Sequence, residues 1–295
     1  MIHPITFSIP AEKIVHSCPP KTRMLAHIIP GKLDTYIYKN ETDYYNGYKE
    51  SVFAITKKKA GWDCMRHYEI MANGCIPVFQ DIERCPPRTM ALLPKDLFVE
   101  GNALYSKIGT KQLAHLTSEE TAEYTQLIHK LLDYTRTYVT TVSLAQYVLD
   151  KSLHPDAKRV LYLSGQTSPD YLRCITLHGF KSLLGAACHD SPRIPHIYKM
   201  KNYNYADLYG KGITYTNLLD AINHDSSQNV VELIKEKYYD IVIYGSYHRG
   251  MPHYDLVKSI YSPNQVIFLC GEDEHPCNYR RLVDAGHTVF VRELM

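Results

Sequence analysis

The sequence lacks most of the features that settle a protein's class quickly. No run of about 18 apolar residues occurs, so no membrane-spanning helix is expected. The opening MIHPITFSIP is neither long nor apolar enough for the core of a secretory signal. Charge of neither sign dominates: 33 basic and 31 acidic side chains leave a formal net charge of +2. That balance gives no general pull toward nucleic acid or a membrane, and it confines any anion site to a local cluster. There is no internal repeat and no low-complexity tract, so neither a solenoid nor a disordered chain is indicated. The cysteines Cys18, Cys64, Cys75, Cys85, Cys174, Cys188, Cys270 and Cys277 form no CxxC pair. A structural zinc site is therefore not expected, and the reading is of reduced thiols in a cytoplasmic protein.

What is present is a chain of 295 residues, 45% apolar, enough for two cores and two domains. Residues 50–56 and 75–80 read as strands flanking a helix over 63–73, with Asp63 as its cap and Gly74 as its left-handed stop. Residues 90–98 lead to an irregular segment, and one long helix is expected over 118–151, a stretch without interior Pro or Gly. The pattern resets near 150–158. Strands are then expected at 159–163, 240–244, 265–270 and 287–291, alternating with helices at 171–184, 230–237, 253–260 and 279–285. Such alternation calls for right-handed crossovers and a parallel, doubly wound sheet.

The most informative segment is SVFAITKKKAGWDCMRHYEIMANGCIPVFQDIERCPP, residues 51–87. A turn that feeds a helix N-terminus presents free N–H groups and the positive end of the helix dipole, which suits a diphosphate. Lys57, Lys58 and Lys59 add charge at that turn, and Gly61 and Asp63 lie beside it. Arg66 and Glu69, three residues apart, share one helix face. A guanidinium for phosphate and a carboxylate for two hydroxyls are what a nucleoside diphosphate needs. Taken alone, the same residues also suit a solvated turn and a surface ion pair worth about 0.3–0.5 kcal/mol.

The run Gly61-Trp62-Asp63-Cys64-Met65-Arg66-His67-Tyr68-Glu69, followed by Gly74-Cys75-Ile76-Pro77-Val78, resembles the donor-site signature of GT-B glycosyltransferases, especially the exostosin-like group. The resemblance covers about 40 residues. It implies two Rossmann-like domains facing a cleft, with Arg66 on the diphosphate and Glu69 on the ribose of a sugar nucleotide, a UDP-sugar by default with GDP open. In the usual GT-B chain the donor domain comes second. Here a donor domain over 1–155 would precede an acceptor-side domain over 156–295, as in a permuted chain; an unrelated α/β module fused behind is the other possibility. The long helix would bridge the two.

Ligands of open parallel sheets bind beyond the strands' carboxyl ends. The loop at 164–169 has no GxGxxG fingerprint. The loops at 245–250 and 271–277 carry Ser246, His248, Arg249, Glu272, Asp273, Glu274 and His275. Inverting sugar transfer needs one base to take the acceptor's proton. Asp273 or Glu272 is the candidate, with His248 the rival; Arg249, Ser246 and His275 are placed on the acceptor or leaving-group side, and Arg292 and Glu293 are further candidates to line the cleft. No metal site and no cofactor beyond the sugar nucleotide are expected. The expected activity is transfer to a hydroxyl of a glycan or glycoconjugate. The alternatives are a non-catalytic module binding a glycan or a partner protein, and a separate nucleotide- or methyl-transferring enzyme in the second half.

Overall fold

A computed structural model describes residues 1–221, 229–273 and 277–295. The chain is α/β, with two parallel sheets. The smaller sheet has the order β2-β3-β4, formed by Arg23–Leu25, Ser51–Thr56 and Ile76–Phe79. Around it pack α1 (Glu41–Lys49), α2 (Met65–Ala72), α3 (Lys95–Ile108) and α4 (Ser118–Tyr138). The larger sheet contains β1 (Ile2–Pro4), β5 (Val160–Leu163), β6 (Cys188–Ser191), β7 (Ile241–Tyr244), β8 (Val266–Cys270) and β9 (Thr288–Val291), in the order β1-β9-β8-β7-β5-β6. Strands VLYL, IVIY, VIFLC and TVFV are buried throughout, as expected of a parallel sheet covered on both faces. The remaining helices are α5 (Thr141–Lys151), α6 (Tyr171–Leu184), α7 (Val230–Lys235), α8 (Tyr254–Ile260) and α9 (Tyr279–Asp284).

Several expectations need correction. The helix expected over 118–151 is two helices. Ile9 enters between them, its N–H bonding Val139 O at 3.0 Å and its carbonyl accepting from Thr141 N at 3.0 Å. Thr140 then caps α5 through Ser143 N. The segment after residue 98 is not irregular, because α3 continues to Ile108. Its interior Gly101 lets it lie against Ile76 and Pro77. Strand β6, with sequence CHDS, carries too few apolar residues to announce itself. β1 crosses the boundary expected near residue 155 and pairs with β9, residues 2–4 against 289–291. Cys270 and Cys277 face each other across the loop after β8, their Cα atoms 6.2 Å apart.

In the larger sheet the connections reverse direction at β5, which has β6 on one side and β7 on the other. A crevice beyond the carboxyl ends of such strands is where open sheets take ligands. The loops leaving β5 and β7 meet there. Gly165 has no side chain to collide with Arg249 O, and Gln166 N bonds that carbonyl at 3.0 Å.

Candidate functional site

A cavity of about 770 Å³ lies between the loops of the two sheets. That is the size of a small-molecule site. One wall comes from residues 59–61, 63–66 and 69 and the other from Pro169, Asp170, Tyr171, Leu172, Arg249 and residues 271–273. The first residues of α2 and of α6 both line it, so two helix N-termini face the same space.

Arg66 and Glu69 are both at this cavity and both buried, at 7% and 5% exposure. They are not the surface pair that charge alone suggests. Arg66 Nη2 donates to Tyr36 Oη at 3.1 Å, while Nε and Nη1 have no partner. No carboxylate lies in ion-pair range of this guanidinium among the described residues. Glu69 accepts from Thr214 Oγ1 at 2.5 Å on one oxygen and from Tyr44 Oη at 2.6 Å on the other. Burial raises its pKa, and those hydroxyls and Arg66 oppose the rise.

The three lysines separate. Lys59 lines the cavity and stands 5.5 Å from the Tyr36 ring. Lys58 is exposed and donates to Ala60 O at 3.1 Å, while Lys57 packs toward Gly31; neither lines the cavity. Gly61 lines it and leaves room for Glu293, since a Cβ there would stand 2.5 Å from Glu293 Oε1.

Asp63 does not cap α2. It lines the cavity, but its carboxylate accepts from Phe7 N at 2.7 Å and Tyr68 Oη at 2.9 Å. Burial pushes its pKa up to about 6, against the pull of Arg292 and these donors. Asp63 thus ties the chain's N-terminal segment to α2 and is not a free ligand.

On the opposite wall Glu272 and Asp273 line the cavity; His248 and Ser246 do not. His248 stands behind Glu272, its Nε2 2.8 Å from Glu272 Oε1, without hydrogen-bond alignment at either ring nitrogen. Burial lowers the His248 pKa, with Asp170 and Glu272 opposing. Ser246 is committed to Asp170 Oδ2 at 2.8 Å, and Arg249 Nε reaches the same oxygen at 2.8 Å. Asp170 was missed in the sequence. It caps α6 through Arg173 N, and although burial raises its pKa, Arg173, Arg249 and Ser246 together hold it below the usual carboxylate value. His275 and Glu274 lie outside the described residues.

Arg292 and Glu293 do not line the cleft; they knot its floor. Arg292, fully buried, donates to Asp63 O at 2.6 Å, to Gly271 O at 3.1 Å and to Glu293 at 2.8 Å, and pairs with Asp273. Its guanidinium lies 4.5 Å from the Phe7 ring centroid. Glu293 in turn accepts from Trp62 N and Asp63 N. Trp62 packs with Phe79 against the core rather than in the cavity.

Among the described residues no group of three or more His, Cys, Asp and Glu side chains is placed to hold a metal, and no helix is long and apolar enough to cross a membrane. No protein-family model, curated protein or solved structure matches the chain.

Proposed function

We propose that the chain is a glycosyltransferase with a GT-B-like arrangement, donor side first, that moves a sugar from a nucleoside-diphosphate sugar, a UDP-sugar by preference, to a hydroxyl of a glycan or glycoconjugate. The observation that carries this reading is Arg66. A buried guanidinium without an anion is costly, and one with two idle nitrogens at a cavity wall is explained by an anion that arrives from outside. Lys59 and the start of α2 add positive potential beside it. Glu69, next along the same wall, suits the ribose hydroxyls.

In this reading the acceptor oxygen attacks the anomeric carbon as the bond to the diphosphate breaks. The bonding pair leaves with the diphosphate oxygen, where Arg66 offsets the new charge. The acceptor's proton passes to Glu272. Asp273 is the weaker candidate because Arg292 holds its carboxylate, and His248 is set behind Glu272, not at the cavity. Arg249 sits on the leaving-group side, already paired with Asp170. No step requires a cofactor beyond the sugar nucleotide.

Titration with UDP and GDP tests the reading. Binding is expected to raise the melting temperature of the wild type, and Arg66→Ala and Glu69→Ala are each expected to weaken affinity by roughly 100-fold. Unchanged binding in both variants would remove the basis for the assignment. The hold of Arg292 on Asp273 also favours one alternative, a non-catalytic glycan- or partner-binding module. Release of nucleoside diphosphate from any of a panel of nucleotide sugars, dependent on Glu272, separates the two.

A further inference from the structure

The second partner of Glu69 comes from far away in the chain. Thr214 belongs to residues 205–219, which leave the larger sheet's side, run in 3-10 turns and reach across the cavity. The base of this segment is fixed where Asn217 N and Leu218 N bond His196 O at 2.9 Å and Ile197 O at 2.7 Å. Its tip is fixed to the other wall. Lys211 Nζ donates to Tyr38 O at 2.7 Å, Thr214 N donates to Glu41 Oε1 at 2.7 Å, and Thr214 Oγ1 meets Tyr45 Oη at 2.7 Å and Glu69 Oε1 at 2.5 Å. Thr214 holds φ at 75°, a rare conformation for a β-branched residue, and is fully buried. Backbone of that kind persists only where its surroundings enforce it, and it concentrates at functional sites.

An ionised carboxylate offers about four acceptor positions. Tyr44 uses one on one oxygen and Thr214 one on the other, so each oxygen keeps a position free. Two free positions on adjacent oxygens, held in a fixed plane, match a vicinal diol. We propose that residues 205–219 form a strap that completes the diol-reading site: Thr214, from the opposite side of the cavity, and Tyr44 are positioning residues that orient Glu69 toward ribose hydroxyls. The inference rests on the proposed nucleotide site. It adds that ribose recognition is shared between the two walls, so a nucleotide with both hydroxyls binds best when the strap is docked.

The test measures affinity for UDP and for 2′-deoxy-UDP in the full chain. Wild type is expected to favour UDP. Thr214→Val keeps the β-branch and removes only the hydroxyl; it is expected to weaken UDP about tenfold and leave 2′-deoxy-UDP nearly unchanged, so the preference collapses. Thr214→Ser is expected to restore it, and Tyr44→Phe to act like Thr214→Val. Equal losses for both nucleotides, or an unchanged preference, overturn the strap's role while leaving the nucleotide site intact. A wild type that binds neither UDP nor GDP overturns the nucleotide site itself, and the strap's role with it.

Discussion

Two buried arginines, Arg66 at the cavity wall and Arg292 beneath it, are treated in opposite ways. Arg292 is surrounded: carbonyls of Asp63 and Gly271, the carboxylates of Glu293 and Asp273, and the face of Phe7 all attend it. Arg66 has one tyrosine hydroxyl at its Nη2 and nothing at Nε or Nη1. Both lie on buried structure between the same two sheets, so location does not explain the difference. Arg292 has its donors met within the chain; Arg66 does not, and under the proposed function its idle nitrogens are met by the ligand. The contrast also separates the two walls, since the donors of the second wall's Arg249 are engaged by Asp170 and Ser168.

The sharpest way to break this comparison is to remove each charge. Arg292→Met is expected to destabilise by about 3–5 kcal/mol, because Glu293 and Asp273 lose their counter-charge and the carbonyls of Asp63 and Gly271 lose a donor. Arg66→Met is expected to stay within about 1 kcal/mol of wild type, or to be more stable, while nucleotide binding is lost. Urea denaturation of the two variants checks both values; a large loss at Arg66 would show that its role is structural.

A pH-dependent effect follows from His67. Its Nε2 lies 2.9 Å from Trp62 O and its Nδ1 3.0 Å from Thr56 Oγ1, so the neutral tautomer donates to the carbonyl and accepts from the hydroxyl. Burial lowers its pKa from 6.5 to about 3. Below pH 6.5 the unfolded chain takes up a proton that the folded chain refuses until about pH 3, so His67 makes stability fall as the pH drops through that window. The slope approaches about 1.4 kcal/mol per pH unit. Asp63 works in the opposite sense between about 6 and 3.8, where the folded chain is the one that holds the extra proton. Stability curves of wild type and His67→Gln, subtracted, isolate the histidine; a flat difference curve would contradict the assignment.

The smallest effect is expected at the lysine turn. Lys57→Ala and Lys58→Ala should change nucleotide affinity by no more than about twofold, because neither side chain lines the cavity. Lys59→Ala should exceed both. Equal effects at all three positions, measured by calorimetry, would restore the picture of one continuous phosphate-binding turn.

Local grammar made much of the fold legible. The unit β3–α2–β4 reads directly from its pattern, with Gly74 at φ 63° where a left-handed stop was expected. Helix α6 occupies the residues its periodicity indicates, 171–184. Failures came where a distant segment decides. Nothing in residues 118–151 shows that Ile9 will divide them, and nothing near Asp63 shows that Phe7 N and Tyr68 will take its carboxylate from the helix cap. Of the candidate site, Arg66, Glu69, Gly61, Lys59, Arg249, Glu272 and Asp273 meet at one cavity, while His248 and Ser246 stand behind it. Asp170 left a weak trace, an acid just after a proline at a helix start. Thr214 left none, since its partner Glu69 is 145 residues away and only the folded chain brings them together.

The pairing of β1 with β9 has a consequence for biogenesis. Residues 2–4 leave the ribosome long before their sheet partners, residues 289–291. At roughly 5–20 residues per second the first strand waits on the order of 15–60 s for its neighbour. During that interval its backbone donors and acceptors have no ladder to join, and the small sheet around β3 can assemble well before the large one is complete. The small sheet, residues 23–79, therefore has its strands together before β1 has its partner, and residues 2–4 are among the last to lock.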